Sequence, residues 1–263
     1  NLVLKLFEEL GINFEYRGFG IIPTGKRRGG RLILERLQEN IPLFNLGIKL
    51  VNFVRENGFF RISLLKESKK IEINSRYLVL ATGGYGGVFQ YTDNICYKNH
   101  HVFDIVKKNG GEIVNLDCVF THPFGYDYGK KILIGNETKK GEFIDSDGKF
   151  VFDNETRKLI RNNDYHEIFD KLLLQINNCK NKIYFVDSKR KLEIFPSVHY
   201  TAGGIKTNEI GEVIGCENLY AIGECKADGS KNGGRFPGYP FTSAIVCGKV
   251  LGERLTCRSV KDN

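Results

Sequence analysis

The chain has 263 residues, with 39 Lys and Arg against 31 Asp and Glu, a formal net charge of +8 at pH 7, 41% apolar and 27% charged residues. This profile excludes a disordered or collagenous chain, and the length suffices for one large core or two smaller ones. No apolar run approaches the roughly 18 residues of a membrane span, which excludes a transmembrane helix, and the positive excess favours an anionic partner: a small anionic substrate, an anionic cofactor or a membrane surface. From the start, residues 1–10 predict an amphipathic helix stopped by Gly11, with Lys5 interrupting any secretory signal. A basic, glycine-containing segment follows from Arg17 to Arg31. Residues 33–38 predict a helix and 41–50 contain a strand, while 59–66 and 70–73 alternate as a hairpin whose turn around Glu67 is not decisive.

Tyr77 to Ala81 is a continuous apolar run, the pattern of a buried parallel strand, and it ends in Thr82-Gly83-Gly84. Residues 101–108 predict a helix closed by Asn109-Gly110-Gly111, and 113–120 predict another strand. The section from Gly125 to Asp187 is more polar and less regular, with a turn at Ser146-Asp147-Gly148 and a helix over 165–175; it reads as a second domain or an insertion. Leu219 to Glu224 predicts a strand ending in glycine and a carboxylate. Residues 241–255 predict a helix rich in small residues, with a surface tail from Thr256. There is no Met, even at the first position, which implies a sequence starting inside a longer protein. The 7 cysteines stand singly, without a CxxC pair, which argues against zinc, an iron–sulfur cluster or a disulfide scaffold and for a reducing compartment.

Two strand-to-glycine transitions, at 80–84 and 220–224, could meet a nucleotide at the carboxyl ends of strands, or could be tight corners only. The GxGxxG spacing is absent. His122 and His199 stand near strand ends, where an imidazole can meet a substrate carboxylate or carry a proton, or can simply be packed. His100, His101 and His166 read as exposed. Arg235 lies among small residues that leave its guanidinium room to grip a carboxylate, with a surface arginine at a helix start as the plain alternative. No acidic pair has metal-ligand spacing with the histidines, so no metal is expected. The basic stretch at 26–31 lacks the aromatic interleaving of a nucleic-acid surface, so no nucleic acid is expected either.

The segments ATGGYGGVFQYTDN (81–94), THPF (121–124), KKGEFIDSDGKFVF (139–152), VHYTAGGIKTNEIGEV (198–213), NLYAIGE (218–224) and NGGRFPGYPFTSAIVCGKVLGE (232–253) together resemble the flavoprotein family of fumarate reductase, succinate dehydrogenase and L-aspartate oxidase. The likeness runs from about residue 15 to residue 254, without the family's N-terminal Rossmann start. It implies an α/β fold: part of a Rossmann-like FAD-binding domain over 1–95, an inserted α+β substrate-capping domain over 96–195, and a return to the FAD-binding domain over 196–263. A second chain or a missing N-terminal segment would complete the FAD site.

Residue by residue, the resemblance implies FAD contacts at Thr82, Gly83 and Gly84, at Glu224 towards the ribityl or ribose region, and at Gly238, Tyr239 and Phe241, which replace the family's GNSL. His122 takes the place of the histidine in the family's HPT, His199 that of the substrate-carboxylate histidine, and Arg235 that of the arginine in NRL. The proton-transferring arginine of the family's RGEG falls on Lys140, which is not a conservative change, because an ammonium and a guanidinium differ in geometry. The implied function is an FAD-dependent oxidoreductase passing a hydride between flavin N5 and a small dicarboxylate, fumarate/succinate or L-aspartate. The implied setting is the cytoplasm or the inner face of a membrane. A non-catalytic paralogue that binds FAD or serves as a subunit, and a flavin dehydrogenase for a less polar substrate, are the alternatives.

Overall fold

Amphipathic spacing at the start of the chain is realised as α1 (Leu2–Glu9), which buries Val3 and Phe7 and stops before Gly11 at φ +63°. The computed structural model describes residues 2–17, 20–24, 29–40, 46–94, 101–162, 168–229 and 238–261. After α1 come an antiparallel pair, β1 (Phe14–Arg17) and β2 (Gly20–Pro23), and then α2 (Gly29–Asn40). A three-stranded antiparallel meander comes next: β3 (Ile48–Glu56), β4 (Phe59–Lys66) and β5 (Lys69–Ser75). Its turns each place two residues at positive φ, Asn57-Gly58 and Glu67-Ser68. That geometry matches the twist of a tight hairpin. Asn-Gly announces such a turn; Glu-Ser does not, and there the paired strands impose it.

The apolar run at 77–81 forms β6 (Leu78–Leu80), paired in parallel with β15 (Leu219–Ala221). It is less enclosed than its composition suggests, since Leu80 is buried but Val79 is 38% exposed. Next are α3 (His101–Lys108), β7 (Ile113–Val114) and β8 (Val119–Tyr126). The single strand expected over 113–120 is therefore broken. Asn115 sits at φ +56° and its carbonyl accepts from Cys118 N at 3.0 Å, which folds the chain between the two pieces.

The polar middle of the chain builds β9 (Lys131–Ile132), a 3₁₀ segment (Gly135–Lys140), β10 (Gly141–Asp145), α4 (Asn154–Asn162), α5 (Phe169–Asn178), β11 (Ile183–Asp187) and β12 (Lys191–Glu193). The helix expected over 165–175 starts at Phe169, and 163–167 lie outside the described residues. Helix α4 gives little apolar signal because it buries only Thr156 and Ile160. Its start is fixed by Asp153, whose Oδ1 accepts from Thr156 N at 2.7 Å. The chain closes with β13 (Phe195–Thr201), β14 (Gly204–Ile205), β15 and the long α6 (Tyr239–Lys261). The expected tail from Thr256 is instead the last turns of α6, where Arg258 Nη1 donates to Tyr220 Oη at 3.0 Å.

Three cores result. The first packs the meander against α3 and the β6–β15 pair, with Phe53 and Phe60 edge to face at 5.9 Å over Val102, Val106, Leu80 and Leu219. The second gathers Phe124, Phe143, Phe152, Leu172 and Phe185 from the middle of the chain. The third joins α1 and α2 to Ile245 and Val246 of α6. Strands β8 and β13 pair antiparallel and bridge the first two cores: Phe124 on β8 belongs to the second, while Val119 at its start packs on the first.

Tyr85, 5% exposed, closes the first core and donates from Oη to Leu116 O at 2.8 Å. Burial pushes its pKa from 10 up to about 12, helped by the nearby Cys118, Asp117 and Glu224. The native state therefore keeps its phenol proton after the unfolded chain has lost it. The contribution of Tyr85 is intact below pH 10 and is lost as pH rises through about 12. Urea midpoints measured across that alkaline range should fall with pH in the native sequence, and Tyr85→Phe should fall less steeply over the same interval.

The buried Leu172 and the 60%-exposed Leu174 lie on the same helix, α5. Leu172→Ala should lose about 2–5 kcal/mol in equilibrium urea unfolding, from lost transfer and cavity terms. Leu174→Ala should stay within about 0.5 kcal/mol of the parent.

Candidate functional site

The parallel pair β6–β15 ends in two glycine turns side by side, 82–84 and 222–224, and Ile222 N donates to Leu80 O at 3.0 Å between them. Gly83 takes φ +75°, and a Cβ built there would meet nothing within 4 Å, so its backbone borders open space at the strand ends. Gly84 is the opposite case. A Cβ there would fall inside contact distance of Thr201 Oγ1 and the Glu224 carboxylate. Glu224 Oε1 accepts from both Thr201 N and Thr201 Oγ1 at 3.0 Å, and Tyr85 N donates to Thr201 Oγ1 at 3.3 Å. Cys225 behind it is fully buried, its Sγ donating to Leu80 O at 3.2 Å, and burial pushes the thiol pKa up.

The start of α6 lies against this junction, since a Cβ on Gly223 would stand 3.7 Å from Ala244 Cβ. Gly238, at φ +82°, accepts from Thr242 N at 3.1 Å, and Tyr239 and Phe241 remain exposed on the first turn. A helix N-terminus favours negative charge beside it. Open backbone at Gly83, a fixed carboxylate at Glu224 and this helix start make a cradle that fits a flavin nucleotide.

The histidines belong to the β8–β13 ladder. Thr121 pairs with Val198 and Phe120 with Tyr200, so His199 is the extra residue of a bulge. A bulge re-aims its side chain out of the ordinary alternation. The His199 ring lies 6.3 Å from the His122 ring and 6.2 Å from Phe120. Phe169 of α5 covers Phe120 at 5.4 Å and His122 at 5.2 Å. His122 is buried and its Nδ1 accepts from Phe124 N at 3.2 Å, which in the neutral ring leaves the proton on Nε2.

His199 Nδ1 meets Asp93 Oδ2 at 2.7 Å. Asp93 itself rides on a segment docked along β13. Val198 N donates to Tyr91 O at 2.9 Å, and Val198 O accepts from Thr92 Oγ1 at 2.7 Å and from Asn94 Nδ2 at 3.1 Å.

Lys140 ends the 3₁₀ segment and is exposed. The following Gly141 is pressed against Val186 O and the Phe185 ring, where a Cβ would not fit. The same segment is tied to the β11–β12 hairpin by Arg190, which bonds Asp187 through Nε at 2.9 Å and reaches Glu137 through Nη1 at 3.3 Å. Arg235, His100 and His166 lie outside the described residues. His101, expected to be exposed, is instead half-buried at the start of α3, its Nε2 3.1 Å from Leu50 O. Among the described residues no cluster of His, Cys, Asp and Glu could hold a metal ion, and no helix is long and apolar enough to cross a membrane. Six cysteines, at 118, 179, 216, 225, 247 and 257, are free thiols.

Sequence reasoning singled out His199 and Glu224 but not Asp93 or Thr201, which hold them. The available signal for Asp93 was its Thr-Asp-Asn context, a set of side chains suited to local backbone hydrogen bonds.

The FAD binding domain family model matches residues 166–239. The L-aspartate oxidase of Saccharolobus solfataricus is 26% identical over 251 residues, covering 88% of this chain and 50% of its own length. The succinate dehydrogenase flavoprotein subunit of Coxiella burnetii is 23% identical, covering 73% of this chain and 40% of the relative. The fold matches that of an E. coli quinol fumarate reductase chain with TM-score 0.73 at 19% identity, over 100% of this chain and 56% of that one. The chain thus spans about half the length of the curated relatives it matches. The chain is similar in sequence to L-aspartate oxidase and succinate dehydrogenase flavoproteins and in fold to a fumarate reductase chain, and its family match is to an FAD binding domain.

Proposed function

We propose that the protein is an FAD-dependent oxidoreductase that acts on a small dicarboxylate of the fumarate/succinate or L-aspartate kind. The observation that carries this reading is that one strand, β13, serves both sides of the site. It offers His199 at a bulge, 6.3 Å from His122, and then Thr201, whose backbone and hydroxyl are held by Glu224 at the glycine turns. When bound, FAD would supply the two-electron redox chemistry, exchanging a hydride at its N5.

The chain's own residues supply binding and orientation. The Gly83 backbone borders the space for the cofactor, and the start of α6 favours its negative charge. His199 and His122 receive one carboxylate of the substrate, Arg235 receives the other, and Lys140 moves the proton at the substrate carbon. Phe120 and Phe169 keep water from the imidazoles on one side. The second core, with the helices and hairpin of residues 124–194, acts as the substrate cap within the proposed 96–195 domain, between FAD-binding parts at 1–95 and 196–263. The net charge of +8 draws a dianion towards the protein. We place the protein in the cytoplasm, in keeping with its free cysteines, with peripheral attachment to a membrane complex as the other setting.

The deciding experiment uses the full-length native protein. Its visible spectrum should show oxidised flavin bands, bleached anaerobically by succinate or L-aspartate, or restored by fumarate after chemical reduction. A colourless protein that takes up no added FAD overturns the reading. In an active preparation, His199→Ala should raise KM about tenfold or more with a smaller effect on kcat. Lys140→Ala should lower kcat by about a hundredfold, the scale of a lost general acid. A Lys140→Ala variant with unchanged kcat would remove Lys140 from the proton step.

A further inference from the structure

We infer that Asp93 is a positioning residue for His199. It fixes the proton on Nδ1 and leaves Nε2 as the ring atom that meets the ligand. The inference deepens the proposed site, because it takes His199 as a carboxylate-binding histidine.

The acceptor decides the tautomer. An ionised carboxylate can only accept hydrogen bonds, so at 2.7 Å the His199 Nδ1 must carry the proton. An unrestrained neutral imidazole favours the other tautomer. Asp93 is 17% exposed and His199 35%, so the pair sits at the edge of solvent. Nε2 of His199 has no hydrogen-bond partner among the described residues. The ring faces His122 and Phe120 from β8. Asp93 and His122 are titratable groups set against it.

The carboxylate is held in place independently of the histidine. Thr92 and Asn94 both bond Val198 O, at 2.7 and 3.1 Å, and Val198 N bonds Tyr91 O at 2.9 Å. Thr92 also forms a parallel bridge with Val198. Asp93 is thus clamped between two anchors on the very strand whose bulge carries His199. With Nδ1–H committed to Asp93, a doubly protonated ring donates Nε2–H to a carboxylate while Asp93 balances its charge. The neighbouring His122 is held the other way round, since its Nδ1 is the acceptor for Phe124 N. The two rings are therefore fixed in opposite tautomers by two unrelated local contacts.

The test is histidine ¹⁵N NMR on the full-length flavin-loaded protein, with malonate as the dicarboxylate probe. His199 in the free parent should show a protonated Nδ1. Asp93→Ala should move the neutral ring to the Nε2–H form and weaken malonate binding about tenfold, the scale of one hydrogen bond to a charged group. Asp93→Asn, whose amide oxygen still accepts, should keep the Nδ1–H form and recover part of the affinity. An unchanged tautomer in Asp93→Ala overturns the inference, as does a change of tautomer with no change in malonate affinity. If malonate fails to bind the parent protein, the dicarboxylate reading fails, and the tautomer in the free protein still decides the role of Asp93.

Discussion

The site depends on one carboxylate. Glu224 lies in the turn just after the short parallel strand β15 and holds Thr201 through its backbone amide and its hydroxyl, both at 3.0 Å. Hydrogen bonds to an ionised acceptor are the stronger kind. Here they join two elements distant in sequence: the glycine turns that close the β6–β15 pair, and the end of β13. Gly84 is confined to glycine by the same junction, because any Cβ would occupy the space that Thr201 and the Glu224 carboxylate share. The packing at Gly203 extends it, since a side chain there would run into the Asn115 carbonyl. Small residues near Thr201 are thus the condition for bringing a long antiparallel strand up to a short parallel sheet.

From that anchor the geometry propagates along β13. A regular strand would alternate its side chains from Thr201 back to Ser197, but the bulge at His199 breaks the alternation and raises the local twist. The strand before the bulge is still tightly fixed. Ser197 Oγ donates to Gly129 O at 2.5 Å, and Phe195 is stacked between Tyr91 at 4.8 Å and Tyr128 at 5.7 Å. The irregular residue is flanked on both sides by contacts that leave no slack. A His can therefore leave the strand pattern without loosening the strand.

Much of this was legible in the sequence. The two strand-to-glycine transitions and the carboxylate at Glu224 stand out because glycines directly after an apolar run have specific backbone physics, and His122 and His199 because the chain has only 5 histidines. The paired ladder of β8 and β13 was not legible, because a proline in each strand breaks any clean alternation. The break at Asn115 was hidden for a related reason: an apolar run does not reveal a residue at positive φ unless that residue is glycine. Helix α4 was missed because it turns only two residues inward. Asp93 escaped because its importance is a long-range contact, and a single sequence holds no record of which strand a turn will dock against.

The second core bears on the histidines more directly than its distance along the chain suggests. Phe124, which donates the backbone hydrogen bond to His122, is itself stacked on Phe143 at 4.4 Å inside that core. Phe169, which covers the His122 ring, opens α5, whose Leu172 and Ile176 are buried in the same cluster. His122 is therefore oriented by the second core, whereas His199 is oriented by Asp93 on a loop between Tyr85 and α3, both of which belong to the first. The separation between the two rings is a property of how β8 and β13 hold those two packing units together. A change in either unit would alter that distance without touching either imidazole. The β8–β13 ladder is thus the element through which core packing reaches the proposed chemistry, and its two irregular steps, at Pro196 and His199, are where that coupling can be adjusted.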